Sequence, residues 1–166
     1  MSFQLTSEAH NISRGIRFGL PKFIAHYEPL FQRVIAAFDN GSHWVVTHDK
    51  YTLEWWPNDE PTLPALRDLF AQYRVPKDFN GALLLAPQQV LAFARDLLSY
   101  PNGLFRREAS LYSNIDVSHS KVPFVIKISD HLNVDFLSTD PALVRTVVNE
   151  YHSPAFTIKP YAGTSL

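Results

Sequence analysis

The sequence contains no cysteine, which excludes disulfides, thiol catalysis and thiolate metal sites and is compatible with a reducing compartment. It has only six glycines, and none of them builds a phosphate-binding loop, a dinucleotide fingerprint or a nucleophile elbow; the H-E-x-x-H motif is absent too. No apolar run approaches the roughly 20 residues of a membrane-spanning helix, and the N-terminus lacks the apolar stretch of a secretory signal. We therefore expect a cytoplasmic protein, without a membrane span, and favour binding over catalysis.

Net charge is also small. Fifteen basic and 16 acidic side chains give a formal charge of −1 and a pI near 6.6, so no global attraction to nucleic acid or anionic lipid is expected. The short basic stretch formed by Arg14, Arg17 and Lys22 is ordinary in density, and we do not expect it to bind nucleic acid.

Apolar residues make up 46% of the chain and aromatic residues 13%, which is enough for a folded core and too much for a disordered chain. No repeat, low-complexity segment or linker divides the sequence. We predict a single α+β domain over residues 1–166, in which residues 1–20 are either integral or a partly ordered arm.

Four or five amphipathic helices are indicated by apolar residues at spacings of three and four. The first spans residues 23–38, where Pro29 is expected to kink the helix or divide it in two. The others follow Thr62, begin at Pro87 and begin near Asp140; the turn signal YPNG at residues 100–103 is expected to end the third.

A hairpin is predicted from two runs, HWVVTH and YTLEWW, on either side of Asp49 and Lys50. Pairing them in this register sorts the large apolar residues, including Trp44 and Trp55, onto one face. Because neighbouring residues on a strand point to opposite faces, Trp56 is left on the other face and needs a separate cover.

The C-terminal half alternates with period two over residues 111–117, 124–128 and 132–136, which predicts a three-strand meander whose second turn has three residues. Phe156 and Ile158 predict a closing edge strand. The fold class is therefore α+β with a largely antiparallel sheet, built from an N-terminal hairpin and a C-terminal meander and packed by the helices.

The leading functional hypothesis rests on Trp56. Exposing its ring would forgo up to about 5 kcal/mol, so it is covered either by a helix of this chain or by a partner. Its neighbourhood is rich in acidic residues, which favours a basic partner surface. We expect a non-catalytic binding module of inhibitor, immunity or adaptor type, from a bacterium or phage, without cofactor or resident metal. The expected binding residues are His43, Glu54, Trp56, Asp59 and Glu60.

Two alternatives stay open. The first is a small hydrolase or nuclease, dependent on a metal or not, whose histidines and aspartates converge at strand ends. Its candidate catalytic residues are Asp116, His119, Asp130, His131 and Asp135. The second is a structural subunit of a homo-oligomer, in which Trp56 would lie at the interface between copies.

Overall fold

The structure is a computed structural model that describes residues 2–7, 19–50, 53–55, 60–107, 113–152 and 156–160. Its helices are α1 (Leu20–Ala37), α2 (Pro64–Gln72), α3 (Pro87–Ala92), α4 (Ala94–Arg107) and α5 (Pro141–Tyr151). Its strands are β1 (Ser2–Ser7), β2 (Trp44–His48), β3 (Leu83–Leu85), β4 (Ile115–His119), β5 (Phe124–Ile128), β6 (Val134–Ser138) and β7 (Phe156–Pro160).

The seven strands of the described residues form one sheet in the order β3-β2-β4-β5-β6-β1-β7. Every pairing is antiparallel. The predicted α+β class, the meander β4–β5–β6 and the edge position of β7 are confirmed. Strand β1 lies between β6 and β7, so the start of the chain is part of the sheet.

The predicted N-terminal hairpin is wrong in its pairing. Strand β2 forms as expected, but its neighbours are β3 on one side and β4 on the other, so neither of its edges is open to residues 53–55. Those residues are irregular, and the Trp55 amide donates to the Phe79 carbonyl at 2.8 Å. The alternating pattern determined which face each residue takes, whereas the partner strands come from more distant parts of the chain.

The sheet has two different faces because burial alternates along its strands. In β2, β4 and β5 the first, third and fifth residues are buried and the two between them are half-buried. The buried positions join residues of α1, α2, α3, α4 and α5 in one apolar core. We call the opposite surface, which no described helix covers, the open face.

Helix α1 runs through Pro29 undivided, which excludes the second of the two expectations for that proline. Two local features differ from prediction, and the first is that α4 continues past Pro101 to Arg107. The turn signal at residues 100–103 is overridden because Leu97, Leu98 and Tyr100 are fully buried, and tertiary packing outweighs local propensity. The region expected as one helix from Pro87 is two, α3 and α4, separated at Phe93.

The turn between β5 and β6 has five residues, not three, because Ile128 pairs with Val134. It is closed by a hydrogen bond from the Ser129 amide to the Asn133 carbonyl at 3.0 Å, and Leu132 adopts a φ of 61°. A loop of odd length keeps both strands' apolar residues on the helix side, as the alternation required.

None of the helices in the described part of the chain is both long enough and apolar enough to cross a membrane.

Candidate functional site

Trp44 and Trp55 are both in the core, as predicted, with exposed fractions of 0% and 1%. The Trp55 indole nitrogen donates to the Gly81 carbonyl at 2.9 Å, which satisfies its polar atom in the interior. Trp56, the residue that motivated the binding hypothesis, lies outside the described residues, as does Asp59.

The described members of the predicted binding set lie apart. His43 and Glu54 are both exposed, but they lie near opposite ends of β2. His43 immediately precedes the strand. Glu54 lies near its far end, because the carbonyl of the adjacent Leu53 accepts a hydrogen bond from His48, the last residue of β2. A strand rises about 3.3 Å per residue, so roughly 16 Å separates the two ends. Glu60 uses its Oε1 locally, accepting from the Thr62 amide and hydroxyl. A binding role for these residues stays a prediction.

The five predicted catalytic residues occupy three places. His119 ends β4 on the helix side, whereas Asp130 and His131 lie in the β5–β6 turn beside the other end of β4. Asp116 and Asp135 lie on the open face. The predicted convergence is therefore not found, and in the described ranges no three histidine, aspartate or glutamate residues are placed to hold a metal ion.

His119 stabilises the turn that follows β4. Its Nδ1 accepts from the Lys121 and Val122 amides at 3.1 and 2.9 Å, which closes the turn after β4. Burial lowers the pKa of His119, so the ring is neutral near pH 7 with its proton on Nε2.

A second histidine, which sequence reasoning left unassigned, lies inside an aromatic cluster. The His48 ring lies 4.1 Å from the ring of Trp55 and 5.3 Å from that of Tyr100. Because a carbonyl only accepts, His48 Nδ1 donates to Leu53 O at 2.9 Å, and Nε2 accepts from the Tyr100 hydroxyl at 3.2 Å. Burial lowers the pKa of His48 to about 4, so this cluster is built around a neutral imidazole.

Asp49 anchors a polar network at one end of the open face. Its Oδ1 accepts from the Ser113 hydroxyl at 2.9 Å and the Asn114 amide at 3.1 Å, and its Oδ2 accepts from Asn114 Nδ2 at 2.8 Å. The sequence presented Asp49 as a hairpin turn residue. Its role depends on β4 being the neighbour of β2, which no local pattern indicates.

Lys127 has two carboxylates within 4 Å of its Nζ and a third opposite it on the neighbouring strand. Its Nζ is 3.8 Å from Asp49 Oδ2 and 3.9 Å from Asp116 Oδ1. The sheet register places Lys127 opposite Asp116 on one side and opposite Asp135 on the other. We call Asp49, Asp116, Lys127 and Asp135 the acidic row; it carries three carboxylates and one ammonium group, and the same register continues through Gln4 of β1 to Lys159 of β7.

Burial sets the electrostatics of this row. Burial raises the pKa of the Asp116 carboxyl, the positive charge of Lys127 lowers it, and the negative charge of Asp49 raises it. The side chains of Asp49, Asp116 and Lys127 keep 26%, 28% and 29% of their surface exposed. They are partly desolvated, so their charges are screened less by salt than those of fully exposed residues.

An apolar row runs beside the acidic row. Val45 pairs with Leu84 on β3, and the register continues through Ser118, Val125 and Leu137. Leu84, on the outermost strand β3, is 63% exposed. The open face therefore presents apolar contact area directly next to fixed negative charge.

No protein-family model, curated protein or solved structure matches this chain significantly.

Proposed function

We propose that the chain is a non-catalytic protein-binding module of inhibitor, immunity or adaptor type, which uses the open face to cover a basic surface of a partner protein. The observation that carries the proposal is the acidic row, which lies on a face that no described helix covers. The three carboxylates outnumber Lys127 and the more distant Lys159, which lies two strands beyond Asp135 in the same register, so this part of a nearly neutral chain carries a net negative charge.

The two rows have complementary roles in recognition. Burying apolar area on binding contributes about 25 cal/mol per Å². Leu84, Val45 and Val125 offer such area in a line across four strands, with Ser118 of β4 between the two valines. The carboxylates of the acidic row steer a basic partner and fix its orientation, since charge complementarity acts mainly on specificity and association rate.

The open face alone is smaller than one side of a standard protein–protein interface. Strands lie about 4.8 Å apart and rise about 3.3 Å per residue, so seven strands of about five residues give roughly 29 by 16 Å. That is about half of the ~800 Å² that each partner buries in an interface of standard size. Exposed residues at the strand ends, including His43 and Glu54 at the two ends of β2, would supply part of the remainder.

A charge reversal tests the proposal. Asp135→Lys removes one carboxylate from the acidic row, and we expect it to abolish capture of a basic protein from host lysate. The matched control is Asp68→Lys on α2, in the helix layer, where the Asp68 side chain is 80% exposed. Capture is compared by mass spectrometry at low and high salt.

The outcome must be specific to the open face. Support requires a partner that Asp68→Lys retains, that Asp135→Lys loses, and whose capture weakens as salt is raised. Equal capture by both variants would contradict the proposal, and thermal unfolding of both shows that the fold is intact.

A further inference from the structure

A cleft of about 510 Å³ opens on the helix layer, on the opposite side of the core from the open face. It lies between the first turn of α1, one side of α4 and the turn that precedes α2. This volume is in the range of small-molecule sites, roughly 300–1,000 Å³. The residues that decide its chemistry are Leu20, Pro21, Ile24, Glu60, Thr62 and Arg95.

One wall is apolar and is formed by the start of α1. Leu20, Pro21 and Ile24 line it, and Ile24 is anchored in the core with 5% of its surface exposed. The wall therefore has a fixed position and can accept an aliphatic group.

Arg95 supplies a positive charge from α4. Arg95, Ser99 and Gly103 line the cleft at intervals of four residues, so they share one side of the helix. Within the described residues, no carboxylate lies within 4 Å of the Arg95 guanidinium. Its fork of donors is suited to a carboxylate.

Glu60 supplies a negative charge from the turn before α2. Its Oε1 accepts from the Thr62 amide at 3.1 Å and from the Thr62 hydroxyl at 2.6 Å. These two bonds hold the carboxylate in place. In the part of the chain that the structure describes, Oε2 makes no hydrogen bond, so it can accept from an ammonium group.

We propose that this cleft binds a small zwitterion with an apolar body, of the class of short apolar peptides with free ends. The ligand carboxylate pairs with Arg95, its ammonium group pairs with Glu60, and its aliphatic side chains pack on Leu20, Pro21 and Ile24. A ligand with only one of the two charges would leave one charged side chain of the cleft without its partner, which lowers affinity.

The test uses one dipeptide with each charge removed separately. Leucyl-leucine, its N-acetyl form and its C-terminal amide are titrated into the full chain by calorimetry. Arg95 is exposed to solvent, so we expect the free dipeptide to bind about two- to fivefold more tightly than either blocked form.

Two variants test which residue causes the preference for each free end of the dipeptide. Arg95→Gln should remove the advantage of the free dipeptide over the amide. Glu60→Gln keeps an oxygen for Thr62 and should remove the advantage over the N-acetyl form. The control is Arg145→Gln on α5, an exposed arginine outside the cleft, which should change neither ratio.

Three results would overturn the inference: no binding of leucyl-leucine at about 10 mM, equal binding of all three peptides, or preferences unchanged by Arg95→Gln and Glu60→Gln. Thermal unfolding of each variant shows that the fold is retained. Asp135→Lys, on the open face, should leave dipeptide binding unchanged, so this test and that of the partner-binding proposal fail independently.

Discussion

At the residue scale, His48 shows how burial sets a protonation state. Its ring is 5% exposed and both of its nitrogens are hydrogen-bonded. Protonation would place a charge among Trp55 and Tyr100 and would remove the acceptor that the Tyr100 hydroxyl uses. Protonation of the ring therefore destabilises the cluster.

This predicts a specific pH dependence of stability. The pKa of His48 is about 4 in the folded protein, against an ordinary value of 6.5. The unfolded chain binds the proton more readily, so the free energy of unfolding is fully present above pH 6.5 and decreases as the pH falls towards 4. The slope is about 1.4 kcal/mol per pH unit and the total about 3 kcal/mol.

Urea unfolding at pH 7, 5.5 and 4 measures this effect. His48→Phe keeps an aromatic ring and should flatten the slope, while lowering stability at pH 7 because Leu53 and Tyr100 lose a partner. His131→Gln is the control, since the His131 side chain is 77% exposed. An unchanged slope in His48→Phe would contradict the prediction.

At the scale of elements, the N-termini of α2 and α5 are capped in different ways. Helix α5 carries its own N-cap, because the Asp140 side chain accepts from the Ala142 amide at 2.9 Å. Helix α2 has no side-chain cap from its own N-cap residue, Leu63. Asp96 of α4 takes that role across the core by accepting from the Leu66 amide at 2.9 Å.

The tertiary cap should matter more than the local one. Asp96 is 4% exposed, so Asp96→Ala leaves buried amide groups without an acceptor and should cost about 2–3 kcal/mol. Asp140→Ala, at an exposed cap, should cost about 1 kcal/mol. Urea midpoints of both variants measure the difference, and equal losses would show that Asp96 does not hold the two helices together.

At the scale of the whole molecule, the order of strands is the feature that differs most from expectation. Strand β2 lies between β3 and β4, second from one edge of the sheet, and the register places Val45 opposite Ser118 of β4. The predicted hairpin would instead place Val45 opposite Glu54. The two arrangements make different pairs of residues neighbours.

Engineered disulfides distinguish them without interference, because the chain has no cysteine. Val45→Cys with Ser118→Cys should form a disulfide, since paired strand residues have Cα atoms within the 4.4–6.8 Å that a disulfide needs. The bridge should raise stability by up to about 4 kcal/mol. Val45→Cys with Glu54→Cys should stay reduced, as measured by thiol titration and mass, and the reverse result would contradict the strand order.

Much of the fold was predictable because it depends on local pattern. Alternation identified β2, β4, β5, β6 and β7, and the three- and four-residue spacing identified the helices. The turn signal at residues 100–103 misled because buried contacts of α4 outweigh it. Of the candidate site, the sequence indicated acidic residues near Trp56, which lies outside the described residues, but it gave no sign of the acidic row, because that row depends on which strands are neighbours.

The sequence by itself determined which residues enter the core, including Trp44 and Trp55, because hydrophobicity and periodicity act along neighbouring residues. Only the tertiary structure decided which strands lie side by side, and therefore that Asp49 and Asp116 lie within 4 Å of Lys127 Nζ and that Asp135 lies opposite Lys127 on the neighbouring strand. The physical reason is that a strand's pattern specifies the face each side chain takes, whereas any strand of compatible pattern can supply the hydrogen-bonding partner. That choice is made by the packing of the complete chain.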